Sequence, residues 1–176
     1  MQTNDTLSAI AYIDPLTELN NRRALDYNLV RQIRSSRTYN TPLSLIMLDV
    51  DYFKVINDTY GHLVGDRILK LLGSRLRYNL RSQDIPFRYG GEEFVVLLYN
   101  TTQQEAVVVA RRLQRIVSEQ PFTVDNSSSI PVTISLGISS LKPADDFDGI
   151  ELLTRADKCL LQAKAAGRNC IVNGEE

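Results

Sequence analysis

The run Leu43-Ser44-Leu45-Ile46-Met47-Leu48-Asp49-Val50 constrains the fold most. It is nearly all apolar and lacks the alternation of a half-exposed strand, so it reads as a central strand buried on both faces. Such a strand needs a covering layer on each side. Near its end stands Asp49, followed by Val50 and Asp51. A carboxylate where a buried strand ends can open toward a ligand at that edge of the sheet. The plainer use of Asp49 and Asp51 is to cap the turn that follows.

A second acidic cluster lies in Arg88-Tyr89-Gly90-Gly91-Glu92-Glu93-Phe94. Strand-like residues flank it, 85–89 before and 94–99 after. Two glycines between two strands read as a hairpin turn, with glycine supplying positive φ. Glu92 and Glu93 then point to opposite faces if strand alternation holds. Should the hairpin lie beside the apolar strand, Asp49 converges with Glu92 or Glu93. Carboxylates on neighbouring central strands repel unless a cation intervenes. Mg²⁺ with phosphate oxygens suits such a site, as in palm-type nucleotidyl transfer.

The remaining elements follow from periodicity and caps. Residues 1–11 are polar with scattered apolar positions and could form a frayed helix end. Asp14-Pro15-Leu16-Thr17 signals a turn. Leu25, Leu29 and Ile33 mark a helix over 22–37. A short helical turn is expected at 52–57 and a loop at 60–62. Val64, Ile68, Leu71, Leu72 and Leu76 give a helix running to about residue 81. Thr101 or Thr102 can cap a helix whose face is Ala106, Val109, Ala110, Leu113, Ile116 and Val117. A strand at 132–139 contains Gly137. A helix over 148–165 closes with Gly167 as its cap, and 170–172 reads as a short edge strand. The layout is α/β: a mixed central sheet flanked by helices, carrying its signature on a β-hairpin. The expected organisation is a stub or linker over 1–13, one domain over 14–173 and a tail over 174–176.

Composition narrows the partners. With 176 residues there is room for one sizeable core. A net charge of −1 gives no global field for nucleic acid or membrane, so phosphate recognition must be local. No apolar run approaches the ~20 residues that span a bilayer. The two cysteines, Cys159 and Cys170, set no disulfide framework. The one histidine, His62, excludes a multi-histidine metal site. A cytoplasmic setting is expected.

Further candidates surround the two clusters. Lys54 can neutralise phosphate. Asn57 and Asp66 together can read a guanine edge, since a carboxylate accepts from N1–H and N2–H and an amide complements O6 or N3. Each alone also serves as a cap or turn residue. Lys164 and Arg168, four apart across a helix end, can grip phosphates, although basic residues are favourable there without a ligand.

Taken together these motifs resemble the GGDEF domain of diguanylate cyclases. The likeness rests on Asp14-Pro15-Leu16-Thr17, Asn21-Arg22-Arg23, the stretch from Asp49 to Asp66, Arg88 to Phe94, Ser135-Leu136-Gly137-Ile138, and Ala163-Lys164 with Gly167-Arg168-Asn169. It implies a nucleotide-cyclase fold related to polymerase palms, and condensation of two GTP into cyclic di-GMP and two pyrophosphates. By that likeness Asp49, the Val50 carbonyl, Glu92 and nearby Glu93 hold Mg²⁺ or Mn²⁺. Glu92 also orients or deprotonates the attacking 3′-hydroxyl, and Lys54 stabilises phosphate charge. Phe53, Asn57, His62 and Asp66, with Gly90 and Gly91, shape the nucleotide pocket, and Lys164 and Arg168 hold the distal phosphates. Arg81 and Asp84, with Arg112, match an inhibitory product site. A homodimer is implied for catalysis, because each chain carries one site and the product is two-fold symmetric.

Three positions depart from the family pattern. Glu18 stands where glycine is usual, Leu161 where tyrosine is usual, and Glu92 where many members have Asp. A domain that binds GTP or cyclic di-GMP without turnover is the rival reading. Intact Asp49, Lys54, Asn57, Asp66, Glu92 and Arg168 argue against it. A mononucleotide cyclase fits the carboxylates but not the signature as a whole.

Overall fold

The structure, a computed structural model, describes residues 11–174. Most of the expected stub, residues 1–10, lies outside this range, as do residues 175–176 of the tail. Helix α1 (Arg22–Tyr39) precedes strand β1 (Leu43–Val50), and helices α2 (Phe53–Tyr60) and α3 (His62–Tyr78) follow. The hairpin strands are β2 (Ile85–Arg88) and β3 (Glu93–Tyr99). Then come α4 (Gln103–Glu119), β4 (Phe122–Thr123), β5 (Ser129–Ile130), β6 (Ile134–Ser140), α5 (Ile150–Ala165) and β7 (Ile171–Asn173). Five strands form one sheet in the order β2-β3-β1-β6-β7. β1 lies at its centre, antiparallel to β3 and β6, and β7 runs parallel to β6 along the edge.

The centre is where an uninterrupted apolar strand belongs, and all eight residues of β1 are buried. Its two faces serve two cores. Ile46, Leu48 and Val50 pack with Ile68 and Leu72 of α3 and Ala110 and Leu113 of α4. Leu43, Leu45 and Met47 pack with Leu25, Leu29 and Ile33 of α1 and Leu152, Ala156 and Leu160 of α5. The sheet is therefore sandwiched between helix pairs, and side-chain alternation decides which pair each residue faces.

Local chemistry sets the element ends. Asn21 caps α1 by accepting from the Ala24 amide at 3.0 Å. Thr102 caps α4 in a full capping box with Glu105. Several boundaries move from expectation. The turn at 52–57 is a complete helix to Tyr60, broken from α3 at Gly61, where φ is 92°. His62 accordingly opens α3 rather than sitting in a loop. α3 ends at Tyr78, because Asn79 leaves helical geometry and its side chain bonds back to the Arg75 carbonyl at 2.7 Å. α5 starts at Ile150 after Gly149, and its cap is Ala166, one residue before Gly167. The β4–β5 ribbon has too few residues to carry a periodic signal.

Candidate active site

Asp49 and Glu93 are direct cross-strand partners on β1 and β3. The hairpin does lie beside the apolar strand, as the acidic clusters require. Alternation puts Asp49 on the α1/α5 face with Met47, and the Lys164 ammonium, from the last turn of α5, donates to Asp49 Oδ2. Asp49 Oδ1 is buried and has no hydrogen-bond partner. Glu92 precedes β3, and its carbonyl accepts from the Val50 amide at 3.3 Å, which holds the Glu92 backbone against the end of β1.

Burial dominates the electrostatics of Asp49 and raises its carboxyl pKa from 3.8 to about 6. Lys164 pulls it down, while Glu92 and Glu93 push it further up. Glu93 is raised for the same leading reason, with Lys164 opposing. A carboxyl raised on folding binds more protons in the native state, so its stabilising effect is complete below about pH 4 and is lost as pH rises through about 6. Asp49→Asn removes that loss. The variant is expected to be more stable than the parent at pH 8, by on the order of 2 kcal/mol, with the gain vanishing at pH 4. Urea midpoints at the two pH values check this; a gain independent of pH, or a loss at pH 8, contradicts it.

Asp51 has a different task. It is buried and accepts from Thr133 Oγ1 at 2.7 Å, Ser135 Oγ at 2.6 Å and the Asn169 amide at 2.9 Å. The capping role weighed for both aspartates fits neither: Asp51 instead ties β6 and the 168–169 turn to the end of β1, and Asp49 receives Lys164. That turn carries Arg168 and Asn169, both at positive φ (66° and 48°). Arg168 stacks its guanidinium 4.7 Å from the Tyr52 ring centroid. Tyr52 itself takes φ 56° ahead of α2. Left-handed non-glycine residues store strain and gather at functional sites. Sequence reasoning missed Tyr52, and nothing local signals its conformation.

The Gly-Gly turn corrects one expectation. Gly90 and Gly91 do not take positive φ. Their value is space: a Cβ on Gly91 would meet nothing within 4 Å, and one on Gly90 only Glu93 Oε1 at 3.6 Å. The turn is closed by Tyr89 and Gly90 amides donating to the Glu93 carbonyl at 2.8 and 3.2 Å.

The other candidates divide between helices. Phe53 is buried at the start of α2, while Lys54 is exposed beside it. Asn57 turns its Oδ1 inward, buried and without a partner. It lies over Gly65, where a Cβ would come within 1.8 Å of that oxygen. Gly65 thus makes the room that Asn57 occupies. His62 and Asp66 are exposed on the first turns of α3. Away from this corner, Arg81 donates through Nε and Nη2 to Asp84 at 3.2 and 3.0 Å, and to Thr101 Oγ1 at 2.7 Å. The Asp84 side chain is fully buried, so it orients Arg81 and presents no face to solvent. Arg112 donates to the Asn79 carbonyl at 2.7 Å, beside that corner.

The oxygen donors suit a hard cation, and the unpartnered Asp49 Oδ1 is an acceptor in want of a positive partner. Among the described residues, no three Asp, Glu, His or Cys side chains form a ready-made cage. No helix among the described residues is long and apolar enough to cross a membrane.

Comparison with known proteins follows the same lines. The response regulator PleD of Caulobacter vibrioides is 42% identical over 164 residues, covering 93% of this chain and 36% of PleD. The chain thus spans about a third of that relative's length. The coiled coil and GGDEF domain of DgcB from Caulobacter crescentus, solved with c-di-GMP, superposes with a TM-score of 0.91 at 27% identity, covering 98% of this chain and 91% of that one. The active GGEEF domain of a diguanylate cyclase from Vibrio cholerae gives 0.82 at 31% identity, with coverages of 89% and 97%. The family model described as "Diguanylate cyclase, GGDEF domain" matches residues 11–170, and the chain therefore belongs to the GGDEF family.

Proposed function

We propose that this domain, read as residues 14–173, condenses two GTP into cyclic di-GMP and two pyrophosphates. The observation that carries the reading is the Asp49–Glu93 pair. Two carboxylates sit on adjacent central strands, one with a buried oxygen lacking any partner, at the end of the sheet beside an open glycine turn. That arrangement costs stability and is useful only to a site that binds positive charge and phosphate.

Asp49, the Val50 carbonyl and Glu92, with Glu93 nearby, would hold Mg²⁺ or Mn²⁺. When bound, the cation supplies Lewis-acid stabilisation of charge on the reacting phosphate. Glu92 orients the attacking 3′-hydroxyl and accepts its proton. Gly90 and Gly91 let the nucleotide approach the backbone without meeting a side chain. Lys54 neutralises phosphate. Lys164, released from Asp49, and Arg168, held by its stack on Tyr52, grip the distal phosphates. Phe53, Asn57, His62 and Asp66 recognise the guanosine. The inward Asn57 Oδ1 is an acceptor awaiting a donor, which guanine offers.

Two such sites must face one another, so the active form is read as a homodimer. Arg81, oriented by Asp84, and Arg112 would bind product and restrain the domains from that encounter. A cytoplasmic setting accords with nucleotide substrates.

Pyrophosphate release tests the substrate class. GTP is expected to yield one pyrophosphate per nucleotide, and ATP less than about a hundredth of that rate. Asp66→Ala should raise the KM for GTP while leaving the melting temperature within a few degrees. Equal rates with ATP and GTP contradict the assignment of Asn57 and Asp66.

A further inference from the structure

Arg88 has work that the carboxylates and phosphate-binding residues do not explain. Its Nε donates to the carbonyls of Gly90 and Gly91, both at 3.2 Å, and its Nη2 to Gly91 again at 2.9 Å. Among the described residues these are the hydrogen bonds that those two carbonyls receive. Glycine has no side chain to pack, so beyond the Tyr89 and Gly90 amide bonds to Glu93 the Arg88 contacts are what fix the shape of the turn. The other end of the guanidinium is held as well. Nη1 donates to both Asp14 oxygens at 3.2 and 3.3 Å, with each side chain less than a fifth exposed.

Asp14 is itself immobilised, accepting from the Thr17 amide and hydroxyl at 2.9 and 2.7 Å. The segment around it is stitched to the hairpin elsewhere. The Arg88 amide donates to the Asn20 carbonyl at 2.8 Å, and Asn20 bridges to Phe87. Arg22, at the start of α1, lies 4.6 Å above the Tyr89 ring. The segment leading into α1 thus grips the signature turn from its outer side.

We propose that Arg88 is a positioning residue that holds the Gly90–Gly91 turn in its open shape, and that Asp14 holds Arg88, so that the placement of the segment before α1 is read at the turn. A planar five-donor fork suits three carbonyl contacts and a carboxylate at once; an ammonium cannot make them together. The effect on nucleotide rests on the cyclase reading above, whereas the effect on the turn does not.

Hydrogen–deuterium exchange without nucleotide tests the positioning directly. The Tyr89 and Gly90 amides close the turn on Glu93, so their exchange reports its opening. Arg88→Lys should speed exchange at these amides about tenfold or more, with amides of β1 and β6 unchanged. Asp14→Asn, which keeps an acceptor for Thr17, should speed it less. The double variant should match Arg88→Lys alone, because Asp14 acts through Arg88. In steady-state assays Arg88→Lys should raise the KM for GTP more than it lowers kcat. If Arg88→Lys does not fold, Asp14→Asn alone decides. Unchanged exchange at Tyr89 and Gly90 in the folded variants, or additive effects of the two substitutions, overturns the proposal. A chain that turns over no nucleotide but shows the exchange pattern leaves the positioning intact and sinks the cyclase reading instead.

Discussion

Glu92→Gln is expected to lower turnover by at least about a hundredfold at saturating GTP and Mg²⁺, with the melting temperature unchanged. The substitution isolates charge. The Glu92 backbone is held by the Val50 amide, a bond that glutamine retains, and the side chain keeps its shape. What disappears is one carboxylate of the cluster that would bind the cation, together with the group proposed to take the 3′-hydroxyl proton. Loss of such a group removes several kcal/mol of transition-state stabilisation, on the order of a hundred- to a thousandfold in rate. A variant that keeps more than about a tenth of the parent activity contradicts this role. Circular dichroism on the same sample separates loss of function from loss of fold.

Gly137→Ala should unfold the protein more readily than any substitution in the active site. Gly137 lies in β6, opposite Met47 of β1, where α5 crosses the sheet. A Cβ there would stand 2.3 Å from the Ala156 carbonyl oxygen and 2.3 Å from the Leu160 amide nitrogen. Both are backbone atoms of one helix and cannot turn aside as a side chain would. The helix must shift off the sheet, which strips contacts from Leu152, Ala156 and Leu160 in the core beneath. Overpacking of this kind costs roughly 3 kcal/mol or more, or about 6–12 °C in melting temperature for a chain of this size. The shift would also carry Lys164 away from Asp49, so surviving activity should fall with stability. A melting temperature within 2 °C or so of the parent contradicts the close approach of α5 to β6.

How much of this was legible depends on whether a residue's task is local. The central place of β1 followed from its unbroken apolar run, because a strand with no polar face has nowhere else to go. The α4 cap was legible as Thr101 or Thr102 because capping is local; the structure selects Thr102 and adds Glu105 to complete the box. Asp49 could be suspected as a ligand-facing group from its position at the end of a buried strand, and the hairpin's place beside it completed the pair. Long-range partners were not legible. Asp51 bonds to Thr133, Ser135 and Asn169, far away in sequence, and only the folded sheet brings them together. The Lys164–Asp49 contact is of the same kind.

One reading changed sign for a conformational reason. Gly90 and Gly91 look like positive-φ turn residues, yet a four-residue loop closed on Glu93 needs none. The Arg81–Asp84 spacing was legible, whereas the burial of Asp84, whose oxygens both accept from Arg81, was not. Tyr52 had no signal at all, because left-handed geometry at a tyrosine is imposed by its surroundings rather than preferred.

The central claim is the reaction itself, and product identity tests it most directly. The chain should be incubated with GTP and Mg²⁺, and the nucleotides separated by chromatography and weighed by mass spectrometry. The account predicts one new nucleotide, cyclic di-GMP, with activity per chain rising with protein concentration as domains meet in pairs. Cyclic GMP as the product, or unreacted GTP at protein concentrations where the chain is dimeric, would contradict it.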